Sequence, residues 1–184
     1  MQDKEIYIVV MQTGSIVSRA LKMITGKEYN HVSVSFDPDL HYLYSFGRRH
    51  AYNPWIGGFV QESFDFGTLK RFSDTKGIVI SIPVSENIYE RLVHRIDEML
   101  ENKQNYYYDM IGLVLAAFNV IYKRKRHYYC SDFVRELLVE FGIEDSAQFE
   151  DVVQPMHFLD LPDGREIYRG KLKDFSRDLI EEAV

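Results

Sequence analysis

A single cysteine, Cys130, in a chain of 184 residues sets the terms on which this protein can fold. No intramolecular disulfide can form, and structural zinc centres usually draw on two or more cysteines. The fold must therefore rest on a packed hydrophobic core. The length matches one ordinary domain, about 100–200 residues, and suffices to bury such a core unaided. We therefore read residues 1–184 as one domain. The 13 Tyr and 12 Phe are many for this length and suggest surfaces or clefts that are half apolar and half hydrogen-bonding.

Periodicity gives the elements. Residues 6–11 (IYIVVM) form a short β-branched run that reads as a buried strand. Thr13, Gly14 and Ser15 make a turn, and Ser15 can cap a helix to about Thr25, closed by Gly26. Residues 29–36 alternate polar and apolar, as a strand with one wet or cleft-facing side does. A turn at Asp37, Pro38 and Asp39 then leads to a partner strand over residues 41–46. Residues 47–76 read as a long irregular loop containing a short strand at 59–62, and its aromatic stretch at Tyr52 and Trp55 is either a lid over an apolar ligand or ordinary loop packing.

Residues 77–84 (GIVISIPV) are the next strand, followed by a Ser85-capped helix to about Asn102 with Ile88, Leu92, Ile96 and Met99 on its apolar stripe. Residues 106–122 read as a second, buried helix. Phe133, Val134, Leu137, Leu138 and Phe141 mark a helix that begins at Cys130 and is closed by Gly142. A last strand is expected around residues 167–169. Strands and helices in this order predict an α+β fold with an antiparallel sheet packed against helices.

The net charge of -6 argues against a nucleic-acid partner, although Lys123, Arg124, Lys125 and Arg126 make one local basic run, either a solvated loop or a patch. The longest apolar stretch, residues 111–122, is shorter than the ~20 residues that span a bilayer, so no transmembrane segment is expected. With no basic leader followed by an apolar run, the chain reads as soluble and cytoplasmic. The sequence sets no oligomeric state.

Two readings of Cys130 stand side by side. It falls in line with the apolar stripe of its helix, as a buried structural cysteine would. It also sits at a helix N-terminus, where unpaired N–H groups and the helix dipole favour a thiolate and can hold an oxyanion. A nucleophile needs a base. Of His31, His41, His50, His94, His127 and His157, only His31 begins a buried-type strand, beside Asn30, Val32 and Ser33.

The segments YNHVSVSF, YLYSFGRR, GGFVQESF and HYYCSDFVRELL resemble the circularly permuted NlpC/P60 group of papain-like thiol hydrolases, whose relatives include YiiX-like and lecithin:retinol acyltransferase-like proteins. The resemblance runs from about Ile6 to Tyr168. It implies Cys130 as nucleophile and His31 as general base, with the histidine strand ahead of the cysteine helix. It also implies a third polar residue on the following strand that holds the imidazole tautomer. Ser45 matches that position best, with His41 as a substitute. Being neutral, Ser45 would orient the ring more weakly than a carboxylate. Tyr128 and Tyr129 would line the cleft or merely pack, and Trp55 would face substrate from the lid.

The substrate implied is a small peptide or an acyl or amide compound, with no cofactor and no metal. Three functions follow from these residues: amide hydrolysis, acyl transfer or ester hydrolysis on lipid-like substrates, and ligand binding without catalysis.

Overall fold

The computed structural model describes residues 4–13, 26, 28–50, 53–72 and 74–176. The chain is α+β. A six-stranded antiparallel sheet in the order β4-β3-β2-β1-β5-β8 is built from β1 (Lys4–Gln12), β2 (His31–Ser35), β3 (Leu43–His50), β4 (Asn53–Glu62), β5 (Lys76–Val84) and β8 (Arg165–Lys171). Short strands β6 (Tyr107–Tyr108) and β7 (His127–Tyr128) pair in parallel beside it. The helices are α1 (Gly67–Arg71), α2 (Glu86–Glu101), α3 (Met110–Ala116) and α4 (Cys130–Glu140).

β1 is central because it is apolar on both sides. Ile6, Ile8 and Val10 point into the main core with α2 and α4, while Tyr7, Val9 and Met11 point the other way, against Leu43, Leu69 and Leu172. Alternating side chains of one strand thus serve two layers. β1 pairs with β5 from Lys4 opposite Val84 to Gln12 opposite Lys76, and with β2 from Tyr7 opposite Ser35 to Met11 opposite His31. α2 starts as expected: Ser85 Oγ accepts from Ile88 N–H at 3.4 Å, and Leu92, Ile96 and Met99 are buried. α4 ends in Gly142, whose φ of +66° is the left-handed conformation that a C′ glycine adopts.

Two expectations need correction, and a third falls outside the described residues. Residues 47–76 are not a long loop. Most of them complete β3 and form β4 and α1, so Trp55 belongs to a strand, its side chain lying outside the described residues. Gly57 and Gly58, which read as loop residues, are strand positions where other backbone comes close: a Cβ on Gly57 would lie 2.6 Å from Tyr108 Cβ, and one on Gly58 2.5 Å from Tyr106 O. The helix expected at Ser15 to Thr25 lies outside the described residues.

The second correction concerns residues 106–122, which are not one buried helix. Tyr107–Tyr108 is strand, and only Met110–Ala116 is helical. Asp109 caps that helix, accepting from Gly112 N–H at 2.9 Å and from the Arg124 guanidinium at 2.6 Å. Gly112 leaves room for this carboxylate, since a Cβ there would sit 2.6 Å from Asp109 Oδ2. Asn119, with φ +58°, ends the helix, and Val120 N–H reaches back to Leu115 O at 2.9 Å. Among the described residues no helix is long and apolar enough to cross a membrane.

Because Leu92 is fully buried, Leu92→Ala is expected to lower unfolding free energy by about 2–5 kcal/mol in urea titration. Ile121→Ala, at a residue 57% exposed, should stay within about 0.5 kcal/mol of the parent protein. Equal losses at the two sites would contradict the burial described.

Candidate active site

Cys130 is the first residue of α4, and Tyr129 at the N-cap supplies no side-chain hydrogen bond to the first turn. The helix therefore begins with backbone N–H groups that no cap satisfies, beside the sulfur. Ser131 Oγ donates to Val153 O at 2.8 Å and anchors this turn to the C-terminal segment. The thiol is only 2% exposed but borders an open cleft of about 470 Å³, part of it open to solvent. Tyr29 and Asn30 form one wall of the cleft, Leu113, Ala116 and Ala117 of α3 another, and Val153, Gln154 and Pro155 a third.

His31 and Cys130 come close enough for the thiol to help favour the charged ring. On the far side of the ring, Nε2 donates to Glu62 Oε2 at 2.9 Å. That leaves Nδ1 as the nitrogen for the thiol. The His31 and Glu62 side chains are 13% and 11% exposed. Ser33 Oγ donates to the same Glu62 oxygen at 3.3 Å and lies 3.4 Å from Nε2.

The His31 pKa is raised from 6.5 to about 10. Burial opposes the charged ring, but the Glu62 carboxylate and the contact with Cys130 together outweigh it. The surroundings of the ring therefore favour its charged form.

The third residue is the point at which the expected site differs from the observed one. Ser45 is fully buried, and its hydroxyl donates to Val32 O at 2.8 Å, within the sheet. The cause is register. β2 and β3 pair at Val34 with Tyr44, so the turn centres on Asp39 rather than Pro38. Leu40, in the left-handed conformation at φ +57°, supplies the additional turn residue, and Ser35 Oγ ties the turn by accepting from Asp37 N–H and donating to Tyr42 O.

Continued along the strands, this register puts Gly47 opposite His31. A Cβ on Gly47 would lie 3.9 Å from His31 Cε1 and 3.8 Å from Glu62 Oε1, in ordinary contact with the pair, which places Gly47 beside it. His41, the substitute, is turned away and bonds Asp37 at 2.6 Å.

Of the two tyrosines, Tyr129 lines the thiol cleft and is 7% exposed. Tyr128 instead donates to Glu136 at 2.8 Å, packs against Phe46, and faces a neighbouring cavity. Glu62 and Asn30 are the residues that sequence reasoning missed. Glu62 stood in the quoted segment GGFVQESF, but its strand was not expected to reach the histidine. Asn30 precedes His31 and lines the cleft. Its Oδ1 accepts from Thr13 N–H at 3.3 Å, and its buried Nδ2 has no hydrogen-bond partner among the described residues. A buried donor left unpaired costs about 1–3 kcal/mol, so it marks a place where a ligand atom would be welcome.

Outside the cleft, Asp37, Asp39 and His41 hold ligand atoms within 4.8 Å of one another at the β2–β3 turn, where the Asp37 carboxylate already accepts from the Asp39 N–H and bonds the His41 ring. No protein-family model matches the chain, and no curated protein matches it in sequence.

The raised His31 pKa fixes the sign of a pH effect. The pairing stabilises the fold fully below about pH 6.5 and is lost as pH climbs through about 10. Tm should fall over that window, and the fall should be shallower in Glu62→Gln, whose other titrating groups are the same. Identical pH profiles for the two proteins would show that Glu62 does not hold the ring charged.

Proposed function

We propose that this chain is a cysteine hydrolase of the circularly permuted papain-like, NlpC/P60-like type, cleaving an amide bond through a thioacyl intermediate on Cys130. The observation that carries the reading is the His31 ring held between the Cys130 thiol and the Glu62 carboxylate. The order of parts supports it too, since the histidine strand β2 precedes the cysteine helix α4 in an antiparallel α+β fold.

In the first step the sulfur attacks the substrate carbonyl carbon and the thiol proton resides on His31 Nδ1. The Glu62 carboxylate stabilises the doubly protonated ring and fixes its orientation, as the acid of a triad does. The negative charge that develops on the carbonyl oxygen meets the Cys130 N–H at the head of α4, and Asn30 Nδ2 is the second donor. The tetrahedral adduct collapses as His31 gives its proton to the leaving amine, leaving a thioester on Cys130. Water then attacks the thioester, His31 takes its proton, and the sulfur departs with the proton restored between the pair.

A second reading has a specific observation in its favour. Apart from Asn30, Ser131 and Gln154, the cleft is lined by apolar side chains or aromatic rings, including Leu113, Ala116, Ala117 and Val153. An acyl group with an apolar chain fits such walls, which makes ester hydrolysis or acyl transfer from a lipid-like donor the alternative. Both reactions share the acyl-Cys130 intermediate and differ in the leaving group. A non-catalytic binding domain drew its case from a neutral Ser45 at the third position, and Glu62 on the imidazole removes that ground.

Mass spectrometry of protein incubated with activated acyl esters and with peptide amides is expected to find the acyl group on Cys130, and Cys130→Ala to abolish it. Glu62→Gln should slow turnover about 10²- to 10⁴-fold and Asn30→Ala about 10²- to 10³-fold. Ser45→Ala should cost about 1 kcal/mol of stability with little change in rate. Iodoacetamide should label Cys130 faster in the parent protein than in His31→Ala at neutral pH; equal rates would mean that the dyad does not exist.

A further inference from the structure

The exposed side of α3 and the chain that follows it are not explained by the thiol chemistry. Ile111, Val114 and Phe118 recur at helical spacing on the face away from the core and are 53%, 50% and 67% exposed. Val120, Ile121 and Tyr122 continue the patch at 46%, 57% and 40%. The opposite face of the helix, with buried Gly112 and Ala116, is turned inward, and Leu113, Ala116 and Ala117 form a wall of the thiol cleft. One short helix thus separates the cleft from a run of exposed large apolar side chains. Single exposed apolar residues need no explanation, but six large ones within twelve consecutive positions point to an interaction surface.

Charge decides what would cover this surface. The basic run follows the apolar one directly, and the two meet in space: the Arg124 guanidinium lies over the Tyr122 ring, 5.5 Å from its centre. Arg124 and Lys123 are held by Asp109 and Asp132, at 2.6 and 3.5 Å. Lys125 and Arg126 are exposed at the tip of the turn between Arg124 and His127, and neither has an ion pair among the described residues. The cavity beside them is lined by Arg95 and all four residues of the basic run, against two carboxylates, Asp132 and Glu136. Bulky apolar side chains next to free cations match the acyl boundary and the anionic headgroups of a lipid leaflet.

We propose that the apolar residues of 111–122 together with Lys125 and Arg126 form a docking surface for an anionic lipid bilayer, which the protein lies on rather than crosses. Docking does not depend on the thiol chemistry. Its consequence for the site is positional, since the wall of the cleft and the docking surface are two faces of the same helix.

The test is co-sedimentation of the full chain with vesicles of phosphatidylcholine alone and of phosphatidylcholine mixed with phosphatidylglycerol. The parent protein should bind the mixed vesicles much more tightly, and less tightly as salt rises. Lys125→Glu with Arg126→Glu should weaken binding at least about twenty-five-fold, from about fivefold for each basic residue removed at an anionic surface. Phe118→Asp with Ile121→Asp should abolish binding while leaving the circular dichroism spectrum unchanged, because both residues are exposed. Cys130→Ala should bind like the parent, whether or not the hydrolase reading holds.

Binding equal on the two vesicle types, or unaffected by either pair of changes, would overturn the proposal. So would a dimer in sedimentation velocity that Phe118→Asp with Ile121→Asp dissolves in a protein that binds no vesicle, since the surface would then be covered by a second copy of the chain.

Discussion

Burial of β1 on both faces is the constraint on which the rest of the structure depends. A strand that is apolar on alternating sides must be covered by two layers and paired along both edges, because buried N–H and C=O groups cannot be left unsatisfied. β5 meets the first edge along the whole length of β1, and β2 meets the second. The site lies at the end of this arrangement. Met11 is opposite His31, Asn30 N–H donates to Met11 O, and Asn30 Oδ1 accepts from Thr13 N–H. His31 and Asn30 are thus positioned by the backbone of β1, while α4 packs on the same core through Phe133, Val134 and Leu137 and carries Cys130.

The electrostatics follow from where the sheet places Glu62. A carboxylate and an imidazole, each little exposed, would be costly to bury alone, and each is the partner that makes the other's charge tolerable. Ser33 adds a hydroxyl to the same carboxylate oxygen, and Gly47 lies beside the pair. The raised His31 pKa is the outcome of this competition, with the attraction of Glu62 and the contact with Cys130 exceeding the cost of desolvation. A hydroxyl in place of Glu62 would have carried no charge to set against that cost.

How much of this was legible in the sequence depended on whether the signal was local. β1, β5, α2 and α4 were readable because their periodicity and caps lie within single segments. A thiol at a helix start and an imidazole at a strand start are each local patterns that single out Cys130 and His31, but joining the two as a pair rested on the family resemblance. The third residue was not. It depends on the register of a hairpin, and a shift of the turn centre by one residue, made by Leu40 in a left-handed conformation, moves the partner of His31 from Ser45 to Gly47. β4 was concealed for a different reason: Gly57 and Gly58 look like loop residues until Tyr106 and Tyr108 are seen against them. Residues 111–122 misled because apolarity says that a segment seeks a nonaqueous partner without saying that the partner is the protein's own core.

The net charge of -6 bears on the last point more than it first suggests. A protein with an acidic surface is repelled by an anionic leaflet over most of its orientations, so a local basic tip both attracts and orients it. The tip here is rigidly attached. Arg124 bonds the buried Asp109 that caps α3, and the chain then passes through β7, paired with β6, into Cys130. The path from the exposed cations to Cys130 therefore runs through a pair of short strands beside a capped helix, so that an orientation set by charge at residues 125 and 126 would also set that of the cleft. Such an arrangement directs an apolar-walled cleft toward one side of the molecule without any helix having to enter the membrane.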